Sequence, residues 1–92
     1  MPTKNYPCPC CGYKVFDEEP YGSYDICPVC FWECDNVQMD DIDYAGGANH
    51  VSLRQAQKNY LEFGASEKRF LKNVREPHED EERDPDWKPF SE

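Results

Sequence analysis

Long apolar runs are missing from this chain of 92 residues, and apolar residues are few overall. Hydrophobic residues make up 38% of the sequence, whereas about 45–50% is usual in globular proteins when glycine is included. No stretch approaches the ~18 apolar residues of a membrane-spanning helix. The first residues also lack the apolar segment of a secretory signal. We therefore expect a small cytoplasmic protein that does not enter a membrane.

Positive charge is scarce as well, and it is concentrated in one segment. The net charge is −9, although residues 51–75 carry six basic and only two acidic side chains. Residues 1–50 and 76–92 are both strongly acidic. Because such a chain repels nucleic-acid phosphates overall, we expect a protein partner, as yet unidentified. Nucleic-acid binding through the basic segment remains the weaker alternative.

Cysteine, in contrast, is abundant, with six residues in the chain. A chain this short buries a small fraction of its surface, so small domains usually need disulfides, a metal or a partner subunit for stability. Cytosolic thiols stay reduced, and paired cysteines there are typical of metal sites or redox groups. The cysteines are therefore the expected source of stability.

The cysteine spacing predicts a metal site. Two residues separate Cys8 from Cys11, two separate Cys27 from Cys30, and fifteen separate the two pairs. This pattern is typical of four-cysteine zinc sites, in which tight turns deliver four thiolates to one ion at about 2.3 Å. Tetrahedral four-sulfur sites suit iron as well as zinc. We therefore predict these four cysteines as ligands of Zn²⁺, with iron as the alternative.

Two other uses of paired cysteines remain open. In an oxidising compartment the four thiols could form two disulfides. A C-x-x-C pair can also be a thioredoxin-like redox centre, but that motif begins a helix, and residues 12–16 do not resemble a helix start. Cys10 and Cys34 are candidate accessory thiols, either buried and free, or acting as a replacement ligand or an oxidation-sensitive group. No catalytic set of side chains is identifiable, so we do not expect an enzyme.

The pattern of apolar residues and breakers predicts a small α+β fold. Short strands are expected around Tyr13–Asp17 and Tyr24–Cys27, followed by a loop over residues 36–50. Two helices are expected at residues 52–63 and 67–75. Their signals are a capping box, a glycine stop and a following proline. Ser52 with Gln55 forms the capping box, and Gly64 is the glycine stop of the first helix. Ser66 is the predicted cap of the second helix, and Pro77 is the proline that follows it.

The chain divides at residue 75. Residues 1–75 are predicted to form one metal-binding domain, with the metal knuckles in residues 6–35, and residues 76–92 to form an acidic, flexible tail. Trp87 and Phe90 are apolar exceptions in this tail, and they are either a docking anchor or solvated side chains. A subsidiary hypothesis is that the tail shields the basic helical face until a partner displaces it.

Three short motifs carry a family resemblance. They are Tyr6-Pro7-Cys8-Pro9-Cys10-Cys11-Gly12-Tyr13, Cys27-Pro28-Val29-Cys30-Phe31-Trp32-Glu33 and Gly46-Gly47-Ala48-Asn49-His50-Val51-Ser52-Leu53. In this combination the chain resembles the bacterial cysteine-rich CPCC family over roughly residues 5–76. The resemblance implies a metal-binding domain and no activity. Neither Cys34 nor the tail belongs to the motifs.

A weaker resemblance concerns the cysteine pairs alone. Both pairs are similar to the metal knuckles of zinc ribbons and rubredoxins, which implies a zinc-ribbon or rubredoxin-like domain. In a rubredoxin the same four sulfurs hold iron and transfer single electrons. The leading hypothesis is therefore a zinc-stabilised protein-interaction module, and the alternative is a rubredoxin-like electron carrier.

Overall fold

A short hairpin begins the fold. The computed structural model describes residues 6–90. Strand β1 (Tyr6–Pro7) pairs antiparallel with β2 (Lys14–Phe16), and Tyr6 lies opposite Phe16. The turn between these strands is the first knuckle, residues 8–13. β2 therefore lies within the predicted strand around Tyr13–Asp17.

The second predicted strand does not form. Around Tyr24–Cys27 the structure has only an isolated bridge between Ile26 and Glu33. Tyr24 has a left-handed backbone, with φ of 56°, which interrupts an extended strand at its first residue. The bridge still closes the second knuckle, residues 27–32, in the way that the hairpin closes the first.

A helix occupies the start of the predicted loop, so that part of the prediction is wrong. Helix α1 spans Asn36–Asp40, and the Asp35 carboxylate accepts a hydrogen bond from the backbone N–H of Val37 at 2.8 Å. This is an N-cap interaction, which satisfies a helix-end N–H. The apolar pattern could not reveal α1 because its one buried side chain is Gln38, a polar residue.

Gln38 fixes the glycine-rich loop that follows α1. Its amide nitrogen donates to the carbonyls of Tyr44, Asn49 and Val51, and its oxygen accepts from the Asn49 backbone N–H at 3.0 Å. Asn49 is buried too, and its amide pairs with both backbone groups of Glu33. A buried polar network of this kind is stable only when its members are satisfied. The loop is thus fastened to α1 and to the end of the second knuckle.

The first long helix forms where the sequence predicts it. Helix α2 spans Leu53–Phe63, and the Ser52 hydroxyl accepts from the Gln55 N–H at 3.1 Å. Gly64 ends the helix with φ of 86°, and its N–H donates to the carbonyl of Tyr60. Serine at the N-cap and a left-handed glycine after the last turn are standard helix boundaries.

The second predicted helix is wrong in type and length. In place of a helix over residues 67–75, the structure has one 3₁₀ turn at Lys68–Phe70. Ser66 does not cap it; its backbone N–H donates to the carbonyl of Cys30 at 2.9 Å, and its side chain is buried. The serine is therefore committed to the second knuckle, which sets the direction of the chain.

The core is built around the cysteines. All six are fully buried, and the partly buried ring of Tyr60 on α2 packs against this cluster. The other buried apolar members of the cluster come from β2, the second knuckle and α2. They are Val15, Phe16, Val29, Trp32, Leu53 and Ala56.

The acidic C-terminal segment runs back across the first knuckle. Glu81 is buried and accepts two hydrogen bonds from the Arg75 guanidinium, at 2.7 and 2.9 Å. Beyond it, Trp87 and Phe90 hydrogen-bond to Pro9 and Gln57. The flexibility predicted for residues 76–92 is a property of motion and stays a prediction. Residues 91–92 lie outside the described range.

Candidate metal centre

The first knuckle is a tight turn closed by backbone hydrogen bonds. The N–H of Cys8 donates to the carbonyl of Tyr13 at 2.9 Å, and the N–H of Gly12 donates to the carbonyl of Cys8 at 2.8 Å. The N–H of Cys10 points at the sulfur of Cys8, 3.4 Å away. The turn therefore delivers sulfur atoms and N–H donors to the same side, as a thiolate site requires.

The second knuckle repeats these three hydrogen bonds at equivalent residues and adds a fourth, from Cys30. The N–H of Cys27 donates to the carbonyl of Trp32 at 2.9 Å, and that of Phe31 donates to the carbonyl of Cys27 at 2.8 Å. The N–H groups of Val29 and Cys30 point at the sulfur of Cys27, at 3.3 and 3.5 Å. Two copies of one turn thus face each other across the core.

The four predicted ligand cysteines meet between the knuckles. The sulfurs of Cys8, Cys11, Cys27 and Cys30 all lie within 4.8 Å of one another. The Cys8–Cys30 and Cys11–Cys27 pairs, each across the knuckles, are 3.6 and 3.7 Å apart. A tetrahedron with metal–sulfur bonds of about 2.3 Å has sulfur–sulfur edges of about 3.8 Å. The four cysteines are therefore positioned to hold a metal ion.

The same distances exclude disulfides in this arrangement. A disulfide bond joins its sulfurs at about 2.05 Å, well below the 3.6 and 3.7 Å seen across the knuckles. All six cysteines are free. The alternative of two disulfides is thus not the state that the structure shows.

Burial makes a cation necessary if all four thiols are to ionise. Burial raises the pKa of Cys8 and of Cys30 well above the usual value. Burial also acts to raise the pKa of Cys27, but hydrogen bonds from Cys11, Cys30 and Cys8 outweigh it and hold that pKa far below the usual value. Like charges in a buried site disfavour further ionisation, so four thiolates cannot form together here without a compensating charge. A divalent cation would supply that charge.

Cys10 and Cys34 lie outside the four-sulfur group. Cys10 occupies the knuckle position that Val29 occupies in the second turn, since both backbone N–H groups point at the first cysteine sulfur of their knuckle. Burial raises the pKa of the Cys10 thiol, and it raises the pKa of Cys34 to about 12. High pKa and burial are typical of inert thiols. The structure thus favours two packing cysteines over reactive ones.

The sequence did not identify the partner residues of two aromatic side chains that contact the knuckles. The Phe31 ring packs on Phe70, with ring centroids 4.7 Å apart. The Trp87 ring lies against Gly12, where an added Cβ atom would stand 2.5 Å from its nearest carbon. The only signals in the sequence were an aromatic residue in a polar tail and a glycine after a cysteine. Neither signal identifies its partner.

Comparison with known families agrees with this centre. The family model described as "Cysteine-rich CPCC" matches residues 6–81, which contain both knuckles, α1 and α2. No curated protein sequence matches the chain. Among the described residues, none of the helices combines the length and apolar character needed to cross a membrane.

Proposed function

The chain belongs to the cysteine-rich CPCC family, and on that premise we propose that it is a small protein-interaction module stabilised by one structural zinc ion. Cys8, Cys11, Cys27 and Cys30 would hold the ion as thiolates. The ion would supply positive charge that joins the two knuckles. This linkage replaces part of the hydrophobic core that so short a chain cannot build.

The closure of the site is the observation that carries this proposal. All four sulfurs converge, and all four cysteines are fully buried. Catalytic zinc sites keep one position open for water or substrate, whereas structural sites use four protein ligands. Four buried thiols leave no such position. A structural role is therefore better supported than catalysis.

The repeated hydrogen bonds support a zinc-ribbon or rubredoxin-like class for this domain. Each knuckle has the same three contacts, from the N–H of its first cysteine, of the residue two further on and of the residue four further on. Six free thiols also suit a reducing compartment. We accordingly keep the cytoplasm as the proposed location.

Exposed apolar side chains support the role in protein interaction. Exposed large apolar side chains occur on most parts of the described chain, and clusters of such residues mark interaction sites. Those exposed by more than 40% are Tyr21, Tyr24, Ile26, Val37, Tyr44, Leu61 and Leu71. Three of them, Tyr21, Tyr24 and Ile26, lie close together in sequence, just before the second knuckle. A partner protein is the proposed ligand of such a surface.

A rubredoxin-like iron protein in single-electron transfer is the alternative. The specific observation in its favour is the set of N–H groups that point at the sulfurs of Cys8 and Cys27 at 3.3–3.5 Å. Hydrogen bonds to sulfur are among the features that set the reduction potential of iron–sulfur centres. The same bonds also suit a zinc site, so the commoner structural use of closed four-cysteine sites leads us to prefer zinc.

Elemental analysis of the freshly purified chain, with a visible absorption spectrum of the same sample, tests the proposal. One zinc per chain and no visible absorption is the expected result. One iron per chain, with thiolate-to-iron charge-transfer bands that bleach on reduction with dithionite, would replace the structural proposal with electron transfer. A metal-free folded chain would overturn both.

A further inference from the structure

The surface of the first knuckle is occupied by the end of the chain. Residues 82–90, called here the strap, follow directly after the buried Glu81. The carbonyl of Glu82 accepts from the N–H of Lys14 at 2.9 Å, and the N–H of Asp84 donates to the carbonyl of Gly12 at 2.8 Å. These bonds flank an antiparallel bridge between Tyr13 and Arg83. The strap thus binds as an added strand, a common mode of peptide recognition.

Two side chains of the strap fit the same surface. The Arg83 guanidinium lies between the rings of Tyr13 and Trp87, 4.9 and 4.6 Å from their centroids, and its Nε donates to the carbonyl of Cys11 at 3.0 Å. The Trp87 Nε1 donates to the carbonyl of Pro9 at 2.9 Å. Backbone pairing is independent of sequence, so selectivity must come from this arginine and tryptophan, four residues apart.

The strap is held only at the surface. None of its residues is buried, and only Asp84 and Trp87 are half-buried. The buried core contains no residue of the strap. Segments with few buried apolar contacts open at low free-energy cost. The ion pair between the buried Glu81 carboxylate and the half-buried Arg75 guanidinium marks where the firmly held part of the chain ends.

The groove under the strap, formed by residues 9–14, also has contacts that do not involve the strap. The carbonyl of Pro9 also accepts from the amide of Gln57 at 2.9 Å, so it keeps a protein donor when Trp87 leaves. Gly12 and Tyr13 are fixed by the turn of the first knuckle. The family match ends at residue 81, so the groove lies inside the matched region and the strap lies beyond it.

We infer that this groove is a docking site for a segment of a partner protein that carries an arginine and, four residues later, a tryptophan, and that the strap is its intramolecular competitor. This inference rests on the proposed function as an interaction module and adds a second surface to the exposed apolar side chains named there. A tethered segment acts at an effective concentration of about millimolar. A partner segment must therefore exceed the strap in affinity or act when the strap is released.

The test uses the full-length chain and a synthetic peptide with the sequence of residues 81–90, labelled with fluorescein. Fluorescence anisotropy measures its binding to the wild-type chain and to the double variant Arg83→Ala/Trp87→Ala, which is designed to weaken the strap by removing its two selective side chains. We expect at least about tenfold tighter binding to the double variant, since the tethered competitor is weakened. No binding to the double variant at millimolar peptide would overturn the inference.

Peptide variants provide controls that leave the folded chain unchanged. A peptide carrying Trp87→Ala, or one carrying Arg83→Ala, should bind the double variant at least about tenfold more weakly, because the hydrogen bond and the cation–π stack are lost. Equal binding of all three peptides would show non-specific association and would contradict the inference.

Two glycine variants provide a matched control on the groove. Added to the double variant, Gly12→Ala should abolish peptide binding, because its Cβ takes the place of the Trp87 ring. Gly22→Ala introduces similar backbone strain at φ of 90°, with nothing within 4 Å, and should leave binding unchanged. If Gly12→Ala retains its metal and binds the peptide normally, the groove is not the site.

Metal content, measured on each variant, separates this inference from the proposed function. Variants that retain one metal ion but fail to bind peptide would overturn the docking site alone, whereas metal-free folded protein would overturn the structural proposal. Light scattering adds one further outcome. Wild-type dimers that disappear in the double variant would assign the groove to the strap of a second copy and overturn the assignment to a partner protein.

Discussion

The two knuckles have the same backbone conformation, but different segments of the chain cover them. Both have the same three hydrogen bonds, and each contributes two sulfurs to the cluster. The first knuckle lies under the strap, through the ring of Trp87 on Gly12. The second lies under residues 66–70. The N–H of Ser66 donates to the carbonyl of Cys30, and the ring of Phe70 packs on Phe31. A repeated metal turn can therefore be supported by unrelated parts of the chain.

The difference is concentrated at one backbone position. The residue after the second cysteine of each knuckle is left-handed, with φ of 82° at Gly12 and 69° at Phe31. Glycine adopts this conformation without strain, whereas other residues lose roughly 1–2 kcal/mol. In the first knuckle the missing side chain makes room for Trp87. In the second, the strained residue places a ring on Phe70, which offsets its cost.

The largest expected effect tests whether the knuckles are equal as halves of the metal site. Cys11→Ser and Cys27→Ser, one from each knuckle, should each lose the metal and cooperative unfolding. The reason is that structural zinc contributes about 10–16 kcal/mol in small domains, as much as the whole stability of about 5–15 kcal/mol. Metal analysis and a thermal melt followed by circular dichroism measure this.

Cys34→Ala is the control for that pair. Cys34 is buried but lies outside the four-sulfur group, so this variant should retain one metal ion and melt cooperatively. Loss of the metal from Cys34→Ala, or a Cys27→Ser variant that keeps full occupancy, would contradict the ligand set.

Acid should weaken the binding of metal between the two knuckles. In the metal-free cluster, burial holds the pKa of Cys8 and of Cys30 above the usual value, so these thiols are protonated at neutral pH and release protons when metal binds. Lower pH therefore favours the protonated, metal-free form, and affinity should fall by at least about tenfold per pH unit. Competition with a chromogenic chelator between pH 8 and pH 5 measures this. A pH-independent affinity would mean that the thiols are not the ligands.

Substitutions at the left-handed residue of each knuckle should change stability less, and by different amounts in the two knuckles. Gly12→Ala should destabilise the chain by at least about 1–2 kcal/mol, from backbone strain alone, and by more if Trp87 cannot move. Phe31→Gly removes strain of the same size but loses an aromatic contact of about 0.5–1.5 kcal/mol and some burial, so its net effect should be near zero. Denaturant unfolding of the metal-loaded variants measures both.

A double-mutant cycle sharpens this point. Phe70→Ala leaves Phe31 strained and uncovered, so it should cost more in the wild-type chain than in Phe31→Gly. Equal costs in the two backgrounds would show that the Phe31–Phe70 contact does not compensate the strain.

The smallest effect on stability is expected when a residue of the first knuckle is replaced by its equivalent from the second. Cys10 and Val29 occupy the same position of the two knuckles and are both buried. Cys10→Val should therefore retain the metal and change stability by less than about 1.5 kcal/mol, as is usual for substitutions that nearly conserve apolar volume. A thermal melt measures the change. Loss of metal from this variant would give Cys10 a part in the site that the geometry does not indicate.

The sequence predicted the parts of this molecule that depend on local rules. The cysteine spacing identified the four sulfurs that converge, because a two-residue gap is enough to form a knuckle. The boundaries of α2 followed from Ser52 and Gly64, since caps act within one helical turn. The family was also identified from its motifs and is confirmed.

Two of the errors, at α1 and at residues 67–75, share a different cause, which is long-range contact. Helix α1 is held by the buried Gln38, whose partners lie in the loop up to Val51. The spacing of apolar residues therefore does not predict this helix. The helix predicted at residues 67–75 is replaced by a 3₁₀ turn because Ser66 is fastened to Cys30. The docking of Trp87, which the sequence left open, likewise depends on residues far away in sequence, at Pro9 and Gly12. Patterns read in short windows cannot contain such pairings.

The most direct test of the central claim is removal of the metal from the purified chain, followed by far-ultraviolet circular dichroism and a thermal melt. If the ion joins the knuckles, the chelated chain should lose most of its secondary structure and its cooperative transition, because the remaining core is too small to fold alone. Adding back one equivalent of zinc should restore both. A chelated chain with an unchanged spectrum and an unchanged melting temperature would contradict the account.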